Sequence, residues 1–225
     1  NLDIRAEYFL VENCSFNNGG TQSTGIIVAG GNNSIIGGQY NNNTIGGRWT
    51  AGGNNAHCVA SGVKFNHNTS RSLEVNNVSL GQRFIGCMFY YGGVTIDTST
   101  NISFSECDID VTGDSIRSRG TTNLVFSNIS FVSVADAKWV ITGTYPTIVN
   151  NTALGVKIKY AGSNKELLIK NNNGVVTFEG ANLSNYSFDQ PIVTRNRTPD
   201  PARDASLGRT DIRYTGSAAV NDMIN

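Results

Sequence analysis

The segment Cys107-Asp108-Ile109-Asp110 sets two carboxylates two residues apart, alternating with two apolar residues. Side chains of a strand alternate between its faces, so with Cys107 and Ile109 turned inward, Asp108 and Asp110 stand side by side outside. Their Cα atoms are then about 6.5 to 7 Å apart. Two carboxyl groups at that separation suit hydrolysis of a glycosidic bond with inversion: one protonates the leaving oxygen, the other activates a water. The same residues would serve equally well as ordinary polar cover on a solvent-facing strand. In a repeat of about 22 residues, set out below, Met88 and Tyr90 hold the equivalent outward positions one turn earlier. Lys64 and Asn66 hold them two turns earlier, and Ser130 and Val132 one turn later. A neighbouring outward column carries Glu74, then Thr95 and Asp97, then Ser115 and Arg117. The candidate catalytic pair is therefore Asp108 and Asp110. Tyr90 offers a ring face for a sugar to stack on, and Lys64, Glu74, Asp97 and Arg117 offer charged anchors for its polar groups. Glu106 and Asp114 fall at expected bends and are weaker candidates.

Other chemistries find little support. The chain has no G-x-x-x-x-G-K-S/T, H-E-x-x-H or G-x-S-x-G motif, and its two histidines are His57 and His67. The cysteines Cys14, Cys58, Cys87 and Cys107 form no C-x-x-C pair. They fall on inward positions, as free thiols packed like small hydrophobes, with a Cys87–Cys107 disulfide as the alternative. No metal site and no cofactor is expected.

The elements that would position the candidates come from a repeat. Asn33, Asn55, Asn77, Asn101 and Asn123 are separated by 22, 22, 24 and 22 residues. Each is followed by residues with an apolar period of two, the strand period. A second set of apolar positions recurs as Val63/Phe65, Cys87/Phe89, Cys107/Ile109 and Ile129/Phe131. A third recurs as Leu73/Val75, Val94/Ile96, Ile116 and Trp139/Ile141. Three short strands per turn of about 22 residues, with one apolar face turned in, predict an all-β parallel β-helix solenoid. The asparagines would form an inward ladder at one bend, amide bonding to amide along the axis.

Composition agrees: 25 Gly and 29 Asn suit many tight corners, and only 15% of residues are charged. Net charge is zero, which gives no footprint for nucleic acid, and no apolar run is long enough to insert in a membrane. The chain opens without Met and already in strand pattern, as a piece of a longer protein would. Residues 1–150 are expected to form the β-helix, and 151–190 further irregular turns or a small β-sandwich. Residues 191–225, with Pro191, Pro199 and Pro201 among several arginines, read as an extended segment between subunits.

The Asn-laddered turns, the stacked Cys and Phe positions, the Asn/Gly-rich exterior and the Arg/Pro-rich exit together resemble the pectin-lyase-like parallel β-helices. Among these the chain looks most like bacteriophage tailspikes and receptor-binding tail fibres. The resemblance covers roughly residues 5 to 150 and is one of architecture, so no catalytic position carries over by motif. It implies a homotrimer on the virion that binds, and often depolymerises, bacterial surface polysaccharide such as capsule or O-antigen. Two other classes stay open: a secreted polysaccharide lyase, hydrolase or epimerase, and a structural or adhesive β-helix with no site.

Overall fold

Alternating apolar residues dominate the middle of the chain, and they form strands. The computed structural model describes residues 1–51, 57–111 and 116–131, and beyond them seven strands: Lys138–Thr144, Thr147–Val149, Thr152–Tyr160, Leu168–Lys170, Asn173–Phe178, Ser187–Phe188 and Thr210–Tyr214. Among the described residues there is no helix, and the strands pair in parallel throughout. The result is a parallel β-solenoid of about five turns, with equivalent strands about 22 residues apart.

Each turn contributes to three strand columns. Column A holds Lys64–Asn66, Met88–Tyr91, Asp108–Val111 and Ser130–Phe131. Column B holds Thr24–Val28, Ile45–Thr50, Arg71–Asn76, Gly93–Asp97 and the start of Ile116–Ser127. Column C holds Leu10–Glu12, Ser34–Ile36, Cys58–Ser61, Gln82–Ile85, Thr100–Ser105 and the end of Ile116–Ser127. Beyond Phe131 the described strands keep the parallel pairing, with Ile116 beside Trp139, Trp139 beside Ile158 and Ile158 beside Val176. The expected features at Asn55, Asp114, Ser115, Val132, Pro191, Pro199 and Pro201 lie outside the described residues.

The inward positions stack like on like. Phe16, Tyr40, Phe65 and Phe89 pile up with ring centroids 5.9, 5.6 and 5.4 Å apart. Phe84, Phe104 and Phe126 form a second pile at 4.8 and 5.1 Å. Edge contacts join the piles, Phe89 meeting Phe84 at 6.4 Å and Phe104 at 6.0 Å. Burying such a ring stabilises the fold by about 1.5 to 3 kcal/mol, and each ring pair adds about 0.5 to 1.5 kcal/mol. Cys58, Cys87 and Cys107 are buried free thiols and Cys14 is a half-buried one, the packing role expected of them. Burial pushes the Cys58 thiol above its usual range.

The asparagine ladder exists, but not where spacing alone put it. Ser34 pairs with Val59, Val59 with Arg83, Arg83 with Ser103 and Ser103 with Val125. Two residues before each of these lies one corner: Asn32, His57, Gly81, Asn101 and Asn123, with φ of 56°, 57°, 93°, 58° and 55°. Asn and Gly are the residues that reach this left-handed backbone most cheaply. Asn101 and Asn123 stack there, and the Asn123 amide donates to Asn101 Oδ1 at 2.8 Å. Both are exposed, so the expectation that they turn inward is overturned. A left-handed residue at a tight corner sends its side chain away from the core.

Asn77 belongs to a different corner, beside Thr98. Asn33 lies one residue past the left-handed position and is fully buried. Its Oδ1 accepts the Phe9 N–H at 2.7 Å and its amide donates to Ala6 O at 3.0 Å. The interior ladder is instead Asn43 and Asn68, both buried. Asn68 Nδ2 donates to Tyr40 O at 3.0 Å, and its Oδ1 accepts the Asn43 N–H at 3.1 Å. Asn43 repeats the pattern one turn earlier, donating to Phe16 O at 3.0 Å and accepting the Gly19 N–H at 3.2 Å.

Candidate functional site

Column A places its outward residues in the register that alternation predicts. Met88 sits between Lys64 and Asp108, and Tyr90 between Asn66 and Asp110. Ile109, between the two acids, is fully buried, which fixes both carboxyl groups on the outer face. Asp108 is exposed and Asp110 half-buried. Among the described residues neither makes an ion pair or a side-chain hydrogen bond. Lys64 and Tyr90 therefore share a face with two unneutralised acids, over three successive turns.

Column B treats its charges differently. Arg48, Glu74, Thr95 and Arg117 stand in register, and Arg48 Nε donates to Glu74 at 2.9 Å. Asp97 pairs with Arg119, whose guanidinium forks onto the two carboxylate oxygens at 2.8 and 2.9 Å. Glu74 and Asp97 are thus already occupied by arginines of neighbouring turns. Such surface pairs add little to stability, and each engages its acid with an arginine of the next turn. Arg117 lies beside Thr95 and has no ion-pair or hydrogen-bond partner among the described residues.

Between the two columns runs a corner formed by Asn18, Asn42, His67 and Tyr91, with φ of 61°, 56°, 51° and 77°. A tyrosine in this conformation is strained by about 1 to 2 kcal/mol. Tyr91 is nevertheless there, 51% exposed, with its ring stacked 6.1 Å from His67. Tyr90 meets the same histidine edge-on at 4.8 Å. Beside Tyr91 opens a groove of about 390 Å³, lined by Thr69, Ser70, Arg71, Thr95 and Arg117, with Gly92 and Gly93 completing the wall. Arg71 is held across it, Nε donating to Thr95 Oγ1 at 2.7 Å and Nη1 to Ser70 O at 2.8 Å.

Sequence alternation anticipates the outward placement of Asp108, Asp110, Tyr90, Lys64 and Arg117 but does not point to Arg71, Tyr91 and His67. Corner residues escape a period-two reading, and the only signal was the run Tyr90-Tyr91-Gly92-Gly93, where a second aromatic precedes a glycine pair. No protein-family model, curated protein or solved structure matches this chain. The chemistry of the corner rests on its own residues: exposed aromatic rings, three hydroxyls, and two arginines and, one column away, two carboxyl groups that have no ion-pair partner among the described residues.

Proposed function

We propose that this β-solenoid is a bacteriophage tailspike-type element that binds bacterial surface polysaccharide, capsule or O-antigen, and depolymerises it. The observation that carries the reading is the contrast in charge pairing. Glu74 and Asp97 of column B are paired with Arg48 and Arg119 of neighbouring turns, whereas Asp108 and Asp110 of column A and Arg71 and Arg117 of column B, near Tyr90 and Tyr91, have no ion-pair partner among the described residues. Stacked turns repeat these positions along one side of the solenoid, which suits a polymer whose sugars repeat along its length. Aromatic faces stack on the rings and charged groups hold the substituents. Assembly as a homotrimer on a virion belongs to the same proposal.

Cleavage would proceed at Asp108 and Asp110. One carboxylic acid gives its proton to the glycosidic oxygen as the bond to the anomeric carbon breaks. The other carboxylate takes a proton from a water that attacks that carbon from the opposite face. Neighbouring outward positions, about 6.5 to 7 Å apart, fit the inverting arrangement and exceed the roughly 5.5 Å of retaining pairs. The test is to incubate the protein with capsules and O-antigens from a panel of bacterial strains, measuring retention on immobilised glycan and the appearance of shortened oligosaccharides. Asp108→Asn and Asp110→Asn are each expected to abolish cleavage and keep binding. Wild-type cutting by both variants makes these acids plain surface, and failure to bind any glycan of the panel removes the function itself.

A further inference from the structure

The following rests on the glycan-binding reading and names the sugar that the corner would select. We infer that the groove between Tyr91 and Arg117 takes the carboxylate of an acidic sugar residue, a uronic or ulosonic acid, on the guanidinium groups of Arg117 and Arg71. Four arginines lie along column B between Thr24 and Arg119, and they divide into two kinds. Arg48 and Arg119 are each bonded to a carboxylate one turn away. Arg71 and Arg117 both line the groove, and neither has an acid partner among the described residues. No acid lines the groove among the described residues, so neither guanidinium meets a counter-charge there from those residues. An anion in the groove would supply the counter-charge to both guanidinium groups.

The rest of the lining says what carries that anion. Arg71 is already pinned by Thr95 Oγ1 and Ser70 O, so it is preorganised and loses little rotamer freedom on binding. The hydroxyls of Thr69, Ser70 and Thr95 suit the hydroxyl groups of a sugar ring. Tyr91, held outward in a strained conformation, supplies the aromatic surface. The volume of about 390 Å³ falls in the range of small-ligand sites. A guanidinium fork matches the planar carboxylate in two parallel hydrogen bonds, which a lysine would not provide.

The first test titrates the intact protein with D-glucuronate and N-acetylneuraminate, and with glucose and galactose 6-sulfate as comparison probes, at constant ionic strength. The readout is the arginine Nε–H resonances. A saturable shift of the Arg117 resonance by a carboxylated sugar and none by glucose is expected. Arg117→Gln should weaken this binding about tenfold or more, the loss of one charge-assisted pair. Arg117→Lys, which keeps the charge and loses the fork, should fall between. Arg117 is exposed, so the variants are expected to fold, and unchanged circular dichroism checks that. No saturable shift with either acid, equal binding of the sulfate, or full binding by Arg117→Gln overturns the inference.

The second arm takes any polysaccharide retained in the strain panel and reduces its carboxylates to alcohols. A loss of affinity on reduction supports the inference. Unchanged affinity leaves the glycan reading standing and removes the acidic-sugar inference. Binding of glucuronate with no polysaccharide retained does the reverse.

Discussion

Two pairs of asparagines, one inside the solenoid and one outside, each join neighbouring turns, to very different effect. Asn43 and Asn68 are buried, and their amides bond the backbone of adjoining turns at Phe16 O, Tyr40 O and two backbone N–H groups. Asn101 and Asn123 are exposed and bond each other at 2.8 Å, a shorter distance than any of these four. Distance does not rank them. Inside, losing the side chain leaves buried backbone groups unpaired, at about 1 to 3 kcal/mol each, whereas outside water replaces the lost partner. The same motif is therefore structural in one corner and close to neutral in the other.

The largest expected effect is Asn68→Ala, which orphans Tyr40 O and the Asn43 N–H and should lower unfolding stability by about 2 to 4 kcal/mol in urea titration. If that loss is no greater than for Asn101→Ala, the distinction between the pairs is wrong. Gly46→Ala attacks the same ladder sterically. Its Cβ would lie 2.5 Å from Asn68 Nδ2 and 2.6 Å from Ser72 O, and a cost of about 1 to 3 kcal/mol is expected from the same titration.

Asn101→Ala should cost about 1 kcal/mol, almost all of it the strain of alanine at a φ of 58°. Tyr91→Gly should stabilise by up to about 1 kcal/mol for the opposite reason, while weakening retention on glycan. A melting temperature that falls in Tyr91→Gly would show that the ring packs more than it strains. Asn101→Gly isolates the exposed hydrogen bond from the backbone and should change stability by less than about 0.5 kcal/mol, within the scatter of ordinary surface substitutions.

The inward positions of columns A and B were legible down to their register. Phe65, Phe89 and Ile109, and Leu73, Val94 and Ile116, were matched across turns from alternation alone, because a buried aromatic or aliphatic side chain admits only one face. The asparagine column was misread for a physical reason. Left-handed corners accept Asn, Gly or His alike, so the true column runs Asn32, His57, Gly81, Asn101, Asn123, and identity of residue type picked out Asn33 and Asn77 instead. Turn lengths along it also vary, because corners absorb insertions without moving the strands. The Asp97–Arg119 pair was hidden by a two-residue shift of the outward positions, which had set Arg117 rather than Arg119 against Asp97, and the Arg48–Glu74 pair because Arg48 had not been placed in the column. Tyr91 was missed because it sits at a left-handed bend, and Arg71 because the strand register shifts beside it, between Gly93 and Val94, where alternation breaks.

Parallel pairing of every strand with its equivalents in the adjoining turns has a mechanical consequence. All the inter-turn hydrogen bonds point along the axis, so a force pulling the two ends apart loads the turns one after another, and the weakest turn sets the yield point. A force applied sideways, as a tethered polymer would exert, is instead shared across the two aromatic piles and the edge contacts that lock them together. Such a rod should peel in small steps when stretched lengthwise in a force spectrometer and resist a transverse load far better.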